Sequence, residues 1–269
     1  MSITTESEAL EPVTQASEDY PLAPVPFTSR KPIWSLAPLL MGFALTSTTL
    51  FAGGAIGPAF RFHELLALVL IGNIFLGAYC AALGFIAYKS GLSTVLMARF
   101  SFGNIGSRWV DFILGFTQIG WYAVTNAFIA DALSKIMGVP DSWKWLLVVF
   151  FTYAFCVTAY IGYTAMDWLS RLAVPAMLVL IAVSLFIGTK DAGNLFALEP
   201  TKQMSFFSAL AVIIATFISG GTQATNWSRY ANSGKNAVWS TLLAFFAVNG
   251  LLVFTGAFCT LVYGSEDLI

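Results

Sequence analysis

The sequence predicts an all-α protein that crosses a membrane several times, and three observations support this fold class. Apolar residues make up 58% of the 269 residues and charged residues only 10%, whereas a soluble domain carries about 25% charged residues. Mean hydropathy is +0.78. Seven runs approach or exceed the roughly 20 mostly apolar residues that a spanning helix needs; they lie at about 34–60, 63–88, 109–137, 143–164, 167–188, 205–230 and 236–263. The strands of a membrane barrel would instead alternate over about ten residues.

Charge and reactive residues exclude several function classes. A net charge of −1 provides no basic field for a nucleic acid. The three cysteines lie in apolar runs without metal-ligand spacing, and His63 is the single histidine. The sequence has no nucleophile motif, zinc-protease motif or P-loop. We therefore expect no enzyme, no bound cofactor, no nucleic-acid partner and no ATP hydrolysis by this chain.

Residues 1–29 are acidic and rich in Ser, Thr and Pro, without the pattern of a cleaved signal peptide. This composition predicts a disordered tail, followed by a transmembrane domain over residues 30–269. With the tail inside, the inner segments hold eight of the 13 Lys and Arg residues. This excess favours a cytoplasmic N-terminus in a multi-pass membrane protein. The connection 89–108 is expected to form a re-entrant or interfacial helix, or an ordered loop.

Small and polar residues interrupt the first and the sixth run. The first contains Gly42, the stretch Thr46–Thr49 and Gly57-Pro58, and the sixth contains Ser219-Gly220-Gly221-Thr222 near its middle. Small residues can serve close helix packing. Two interrupted spans five helices apart are also typical of an inverted repeat, whose discontinuous helices free backbone groups for an ion and a polar substrate. We favour discontinuous helices in a transporter.

The third run places four ligand-competent side chains on one helical face, because their spacing is i, i+3, i+4 and i+7; they are Gln118, Trp121, Tyr122 and Thr125. A buried amide is costly without a partner, and an indole beside it offers an aromatic plane. The face suits a small planar ligand. An interhelical glutamine hydrogen bond with a packing tryptophan explains the same spacing equally well.

Other polar residues in the apolar runs have structural explanations. Asp131 is expected to pair with Lys135, and Asp167 with Arg171, each four residues on. Three asparagines are expected to form hydrogen bonds between helices; they are Asn73, Asn126 and Asn249.

Several stretches resemble the nucleobase-cation symporter-1 family and are most similar to the bacterial cytosine permeases of its purine-cytosine permease group. They include FAGGAIG, LMARFSFGNIGS, GFTQIGWYA and FISGGTQATNWSRYANSGKNAV, and the similarity runs from about residue 30 to the end. The resemblance implies a leucine-transporter-like fold of inverted repeats, with about twelve helices in a complete member. It implies import of a nucleobase by alternating access, coupled to Na+ or H+. Cytosine is favoured, with uracil, purines, allantoin and hydantoin as alternatives.

The resemblance also implies individual site residues. The substrate-binding set is Gln118, Trp121, Phe217, Ser219, Gly220 and Thr46. In this set Gln118 supplies the amide, and Trp121 and Phe217 supply aromatic side chains on either side of the base. Gly42 and Leu45 fall on positions whose backbone carbonyls bind Na+ in the cytosine permeases.

A complete member of this family is longer than 269 residues, and this sequence stops after the seventh helix. The eighth helix, which completes the sodium site in the family, is absent from it. The resemblance therefore implies the N-terminal part of a permease, which is either a non-functional fragment or a chain that needs a C-terminal partner half.

Two other protein classes also contain seven helices or broken helices. A cytoplasmic N-terminus argues against a seven-helix receptor. Broken helices occur in channels too, but the pair of Gln118 and Trp121 fits an enclosed ligand better than a water-filled pore. A secondary transporter in the lipid bilayer is the favoured function.

Overall fold

The computed structural model of the protein describes residues 20–191, 193 and 195–264. The α-helices, in chain order, are α1 (Ile33–Ala44), α2 (Ser47–Ile56), α3 (Phe62–Ser90), α4 (Thr94–Met137), α5 (Lys144–Ile161), α6 (Tyr163–Asp191), α7 (Phe206–Ala215), α8 (Ile218–Gln223), α9 (Thr225–Ser228), α10 (Gly234–Leu242) and α11 (Asn249–Tyr263). Short 3-10 helices lie at Phe27–Ser29, Gly57–Ala59, Asp141–Trp143 and Leu195–Ala197, and a π-helical segment, Leu243–Val248, joins α10 to α11.

The predicted spans correspond to these helices. Within the described residues, five helical stretches are long and apolar enough to cross a membrane: α3, α4, α6, the stretch Phe206–Ser228 and the stretch Gly234–Tyr263. Helix α1 and the stretch Ser47–Ala59 meet at a bend of 54° and together pass the same test, which brings the number to six if the bent pair is one span. The predicted run 143–164 corresponds to α5, a helix of 18 residues that is not among these stretches, so five or six of the seven predicted spans pass the test within the described residues. The all-α membrane fold is confirmed.

The bundle core forms where α1 packs against α6 and α10, and where α3 packs against α7 and α10. Leu36, Leu40 and Phe245 are fully buried there. By contrast, α4 and α5 expose most of their apolar side chains at the periphery of the bundle.

Glycines bring α2 and α11 into backbone contact. A Cβ atom at Gly53 would lie 2.9 Å from the carbonyl carbon of Val253, and one at Gly256 would lie 2.8 Å from that of Leu50. Because any larger residue would force the helices apart, these glycines serve close packing. The small residues in the second half of the first run therefore serve close helix packing, which was one of the two predicted explanations.

The structure gathers the predicted inner segments at one end of the bundle. The Arg30 guanidinium donates to the Tyr88 carbonyl at 2.8 Å, and the Lys31 amide donates to the Tyr230 carbonyl at 2.6 Å. The predicted outer segments meet elsewhere, where Arg61 pairs with Glu199 at 2.9 Å. Three predicted inner segments therefore lie together and two predicted outer segments lie together, while the orientation in the membrane stays a prediction.

The ordered chain begins before the predicted boundary at residue 30. Val25 is buried, and its amide donates to the carbonyl of Gly91 at 2.9 Å. The carbonyl of Tyr20 accepts from the Arg229 guanidinium at 2.9 Å. Disorder as far as residue 29 is therefore wrong for residues 20–29, because backbone hydrogen bonds and a buried valine fix them to the bundle. Residues 1–19 of the predicted tail lie outside the described residues, and the division into tail and domain stays a prediction.

The connection 89–108 is helical from Thr94 onward and continues directly into α4. Gly103, with φ of 67° and ψ of −177°, kinks this helix. The first turn is fixed by Thr94, whose amide donates to Asn226 Oδ1 at 3.1 Å and whose hydroxyl donates to the Thr222 carbonyl at 3.2 Å. An ordered helical connection is thus present, and its depth in a membrane stays a prediction.

The predicted polar pairs are confirmed with one addition. Arg171 bonds both carboxylate oxygens of Asp167 at 3.0 Å. Lys135 lies 3.4 Å from Asp131, but Lys144 of α5 lies closer, at 2.6 Å. The i+4 spacing missed this second lysine because the turn between α4 and α5 brings it back.

Asparagine hydrogen bonds between helices are confirmed for Asn73 and Asn249, which bond each other at 2.8 Å. Asn126 is buried, but its side-chain nitrogen has no hydrogen-bond partner within the described residues. The expected interhelical bond from this nitrogen is therefore not formed.

Candidate functional site

The first span breaks between α1 and α2, at Leu45 and Thr46. Both residues leave helical geometry, with ψ of 83° and 143°. The Thr46 amide donates to the Ala44 carbonyl at 3.0 Å, and the Thr49 amide donates to the Thr46 carbonyl at 3.2 Å. In a continuous helix these two amides would bond the carbonyls of Gly42 and Leu45. At the break, the two carbonyls that are predicted to bind an ion therefore lose the amide donors that a continuous helix would provide.

The sixth span breaks between α7 and α8, at Phe217. Its φ of −137° and ψ of 16° interrupt the helix. The break lies just before the glycine pair that predicted it, because Gly220 and Gly221 serve close packing inside α8. A Cβ atom at Gly220 would lie 2.7 Å from the Phe217 ring. The predicted discontinuous helix is therefore present, with its break two residues before Ser219.

The predicted face of α4 points towards these breaks. Tyr122 holds α4 to α5 through a hydrogen bond from its hydroxyl to the Thr152 carbonyl. Phe128 stacks on Phe51 of α2, with ring centroids 4.6 Å apart. The side-chain amide of Gln118 makes no hydrogen bond to any described residue. Because α4 is held by both neighbours, its polar face has a fixed position.

A cavity of about 580 Å³ lies where the two breaks and α4 meet. Its wall contains every residue predicted for the substrate and ion sites; they are Gly42, Leu45, Thr46, Gln118, Trp121, Phe217, Ser219 and Gly220. The structure therefore brings this set together from three separate parts of the sequence. Their binding roles remain predictions.

Sequence reasoning did not assign roles to several other wall residues, which are Phe43, Thr48, Ile119, Cys156 and Thr216. Phe43 packs edge-on against Phe217 at 5.6 Å between ring centroids. The sequence could have indicated Phe43, because it directly follows Gly42 in the interrupted first run. Cys156 comes from α5 and had no sequence signal, because only the packing of α5 on α4 brings it to the wall.

A second cavity, a groove of about 600 Å³, lies between α2, α6 and α11. Most of its wall is apolar and includes Met177, Ile181 and Leu252. Thr46 lines this groove as well as the first cavity. The hydroxyl of Ser47, also in the groove wall, is buried and has no partner within the described part of the chain.

Charged side chains contribute nothing to either cavity wall. Among the described residues, no group of three or more His, Cys, Asp or Glu side chains is placed to hold a metal ion. An ion at the first break would therefore be held by carbonyl and hydroxyl oxygens, which suit hard cations.

Residues 24–267 match the family model described as permease for cytosine/purines, uracil, thiamine, allantoin. Cytosine permeases of Escherichia coli K12 and O157:H7 are 36% identical over 248 residues. The aligned region covers 91% of this chain and 58% of each relative. The chain therefore spans less than two thirds of the length of these curated relatives.

Two solved structures share the fold. Mhp1, a nucleobase-cation-symport-1 family transporter in a closed conformation with bromovinylhydantoin bound, superposes with a TM-score of 0.80 at 17% identity. The inward-facing conformation of Mhp1 gives a TM-score of 0.76 at 16% identity. Each match covers 91% of this chain, and 58% and 57% of the respective neighbour. The leucine-transporter-like fold and the predicted family are confirmed, and the chain belongs to the family of permeases for cytosine/purines, uracil, thiamine and allantoin.

Proposed function

We propose that this chain forms the N-terminal part of a secondary transporter that imports a nucleobase, with cytosine favoured. The observation that carries this function is the single cavity at which both broken spans meet the polar face of α4. Broken helices from two halves of a repeat form substrate sites in transporters of this kind. The 36% identity to cytosine permeases supports cytosine as the substrate.

The base stacks on Trp121, with Phe217 closing the cavity on the other side. The free amide of Gln118 donates to and accepts from the polar edge of the base. Ser219 and Gly220 line the wall beside Phe217 and limit the size of the ligand. An indole and an amide on adjacent turns give both stacking and hydrogen bonding, which a planar heterocycle needs.

The coupling ion, Na+ or H+, acts at the first break. For Na+, the carbonyl oxygens of Gly42 and Leu45 supply two ligands, because the break has redirected their helical donors. Base and ion together favour one conformation of the transporter by binding it more tightly than the other. Residues 20–31 face the cytoplasm of a bacterial cell, as the excess of Lys and Arg in the inner segments favours.

The groove between α2, α6 and α11 takes a helix from the remaining part of the transporter. The relatives are longer than this chain, and the groove is apolar with one buried, unbonded hydroxyl at Ser47. A helix with an apolar face and a polar group opposite Ser47 would fill it. This helix would complete the ion site from the side opposite the carbonyls.

Uptake of radiolabelled cytosine into transporter-deficient bacteria tests the function. The chain is expressed alone, and together with the C-terminal part of an Escherichia coli cytosine permease, with and without a sodium gradient. We expect saturable uptake at least in the co-expressed form, and competition by unlabelled bases reports specificity. Absence of uptake in both forms, with the protein present in the membrane, would contradict the proposal.

A tryptophan pair on α4 provides the matched control. Trp121→Ala removes the stacking side chain and should weaken cytosine binding about 5- to 150-fold, with a matching loss of uptake at low cytosine concentration, since base stacking on aromatic side chains is worth roughly 1–3 kcal/mol per base. Trp109→Ala truncates a tryptophan on the same helix that is 64% exposed and outside the cavity. It should leave uptake unchanged. Equal uptake in both variants would rule out this site.

A further inference from the structure

A buried polar cluster lies between the two helix breaks. We define the asparagine cluster as Asn73 of α3, Asn249 of α11, Thr49 of α2 and Thr216 between α7 and α8. The Asn249 amide nitrogen donates to Asn73 Oδ1 at 2.8 Å and to Thr216 Oγ1 at 3.1 Å. Its carbonyl oxygen accepts from the Thr49 hydroxyl at 3.4 Å. Asn249 is thus the centre of the cluster and joins all four elements.

The cluster satisfies its polar groups internally. Asn73 Nδ2 donates to the Val69 carbonyl at 2.8 Å, and the Thr216 hydroxyl donates to the Ile213 carbonyl at 2.6 Å. Asn249 is 0% exposed and Asn73 is 1% exposed. A satisfied buried network specifies one arrangement of the elements that it joins, whereas a half-satisfied one is costly. Loss of Asn249 would leave the other three members without their common partner.

The cluster reaches the wall of the proposed nucleobase cavity at both breaks. Thr216 lines that cavity and directly precedes Phe217. Thr49 lies 3.2 Å from the Thr46 hydroxyl, which in turn lies 3.0 Å from the Thr48 hydroxyl. Thr46 and Thr48 both line the cavity. A continuous path of hydrogen bonds therefore runs from one wall of the cavity through Asn249 to the other.

The backbone before Asn249 is itself unusual. The π-helical segment Leu243–Val248 ends at the residue directly before it. A π-helical turn holds more residues than an α-helical turn, so it rotates the residues that follow, and such segments are frequent at functional sites. Phe245 and Val248 of this segment face the apolar core, while Asn249 faces the cluster. The irregular turn thus places one polar residue among apolar neighbours.

The geometry points to Asn249 as a positioning residue for nucleobase binding, which holds the two breaks at the separation that the base requires. This inference rests on the proposed function of the cavity. Asn249 does not line the cavity, so it acts through Thr216 and Thr46.

The test measures the affinity of the purified full chain for radiolabelled cytosine. Asn249→Leu keeps the side-chain size but removes every hydrogen bond of the cluster centre. Interhelical hydrogen bonds in membrane proteins correspond to about a 3- to 20-fold change in an equilibrium constant, and we expect a loss of affinity in this range. Adding Asn73→Leu to Asn249→Leu should cost little more, because partners in one network are not additive. Unchanged affinity in a folded Asn249→Leu chain would overturn the inference.

Two control variants separate positioning from simple destabilisation. Thr241→Val removes a buried hydroxyl of the same span that bonds only carbonyls of its own helix. Gly188→Ala places a Cβ atom 2.6 Å from the Phe258 ring, away from the cavity, and should lower the melting temperature. Both should retain the affinity of the unmodified chain. If Gly188→Ala weakens binding as much as Asn249→Leu, the role of Asn249 is structural only and the inference fails.

A second measurement needs no nucleobase and distinguishes failure of the inference from failure of the proposed function. Cys156 lines the cavity and is exposed, so its reaction rate with N-ethylmaleimide reports access to the cavity. In a chain with Cys80→Ala and Cys259→Ala, adding Asn249→Leu should raise this rate several-fold, and adding Thr241→Val should not. If the unmodified chain binds no cytosine, either alone or with the co-expressed C-terminal part, but the rates differ as stated, the proposed function fails while the link between Asn249 and the shape of the cavity stands. Equal rates would overturn the positioning role.

Discussion

Replacing Gly256 with alanine should loosen the contact that fixes the second half of the first span. The new Cβ atom would lie 2.8 Å from the carbonyl carbon of Leu50 and 3.1 Å from the nitrogen of Gly54. Carbon atoms pack at about 3.5–4.0 Å, so α2 and α11 must separate locally by about 1 Å. Neither obstacle is a flexible side chain that can turn away.

The expected cost follows from this displacement. A radial gap of 0.5–1 Å already forfeits about a quarter to a half of a dispersion contact, and overpacking of a core costs about 1–3 kcal/mol. For a chain of this size that corresponds to a melting temperature lowered by about 2–12 °C. Thermal unfolding in detergent, followed by circular dichroism, measures it.

Gly115→Ala is the matched control, because a Cβ atom there would meet nothing within 4 Å. Alanine also has the higher helix propensity, so this variant should melt at or above the temperature of the unmodified chain. If Gly256→Ala and Gly115→Ala have the same melting temperature, the backbone contact between α2 and α11 does not exist as described.

Three further predictions concern the ends of the bundle and its cysteines. Arg30→Ala should speed deuterium exchange at the Val25 amide, because the guanidinium binds the Tyr88 and Val25 carbonyls; Arg61→Ala, which breaks an exposed pair with Glu199, is the control, and equal exchange in both would contradict the reasoning. Asp131→Asn should shift the melting temperature little, since its pairs with Lys144 and Lys135 are partly exposed and exposed ion pairs add little stability; a large drop in melting temperature would contradict this. Cys156 should react with N-ethylmaleimide faster than buried Cys80, as mass spectrometry of the labelled chain can show, and the reverse order would refute the placement of α5.

The sequence located the helices well because apolar length alone decides a membrane span. It was less accurate at glycines, because a glycine can mark either a break in a helix or a close contact between two helices. The Gly220-Gly221 pair indicated a break in the sixth span, but the structure uses these glycines for packing and breaks the helix at Phe217. A glycine has both uses, and only the neighbouring helix determines which one applies.

Contacts across long sequence separations explain the other differences. The composition of residues 20–29 resembles that of a disordered tail, yet Val25 is held by the end of α3. Asp131 has a suitable lysine four residues on, yet the lysine that lies closer arrives from α5. Periodicity within one helix contains no information on either contact. The cavity set was predictable because family resemblance supplied the long-range information that periodicity lacks.

Thr46 links recognition of the base to assembly of the whole transporter. It lines the nucleobase cavity on one side and the groove between α2, α6 and α11 on the other. The aromatic and amide groups proposed to bind the base all come from the present chain, whereas on the groove side of the break the buried hydroxyl of Ser47 has no partner among the described residues. A helix seated in the groove would restrict the same break whose carbonyls are proposed to hold the ion. Base recognition should therefore depend mainly on this chain, and coupling to the ion should depend on what fills the groove.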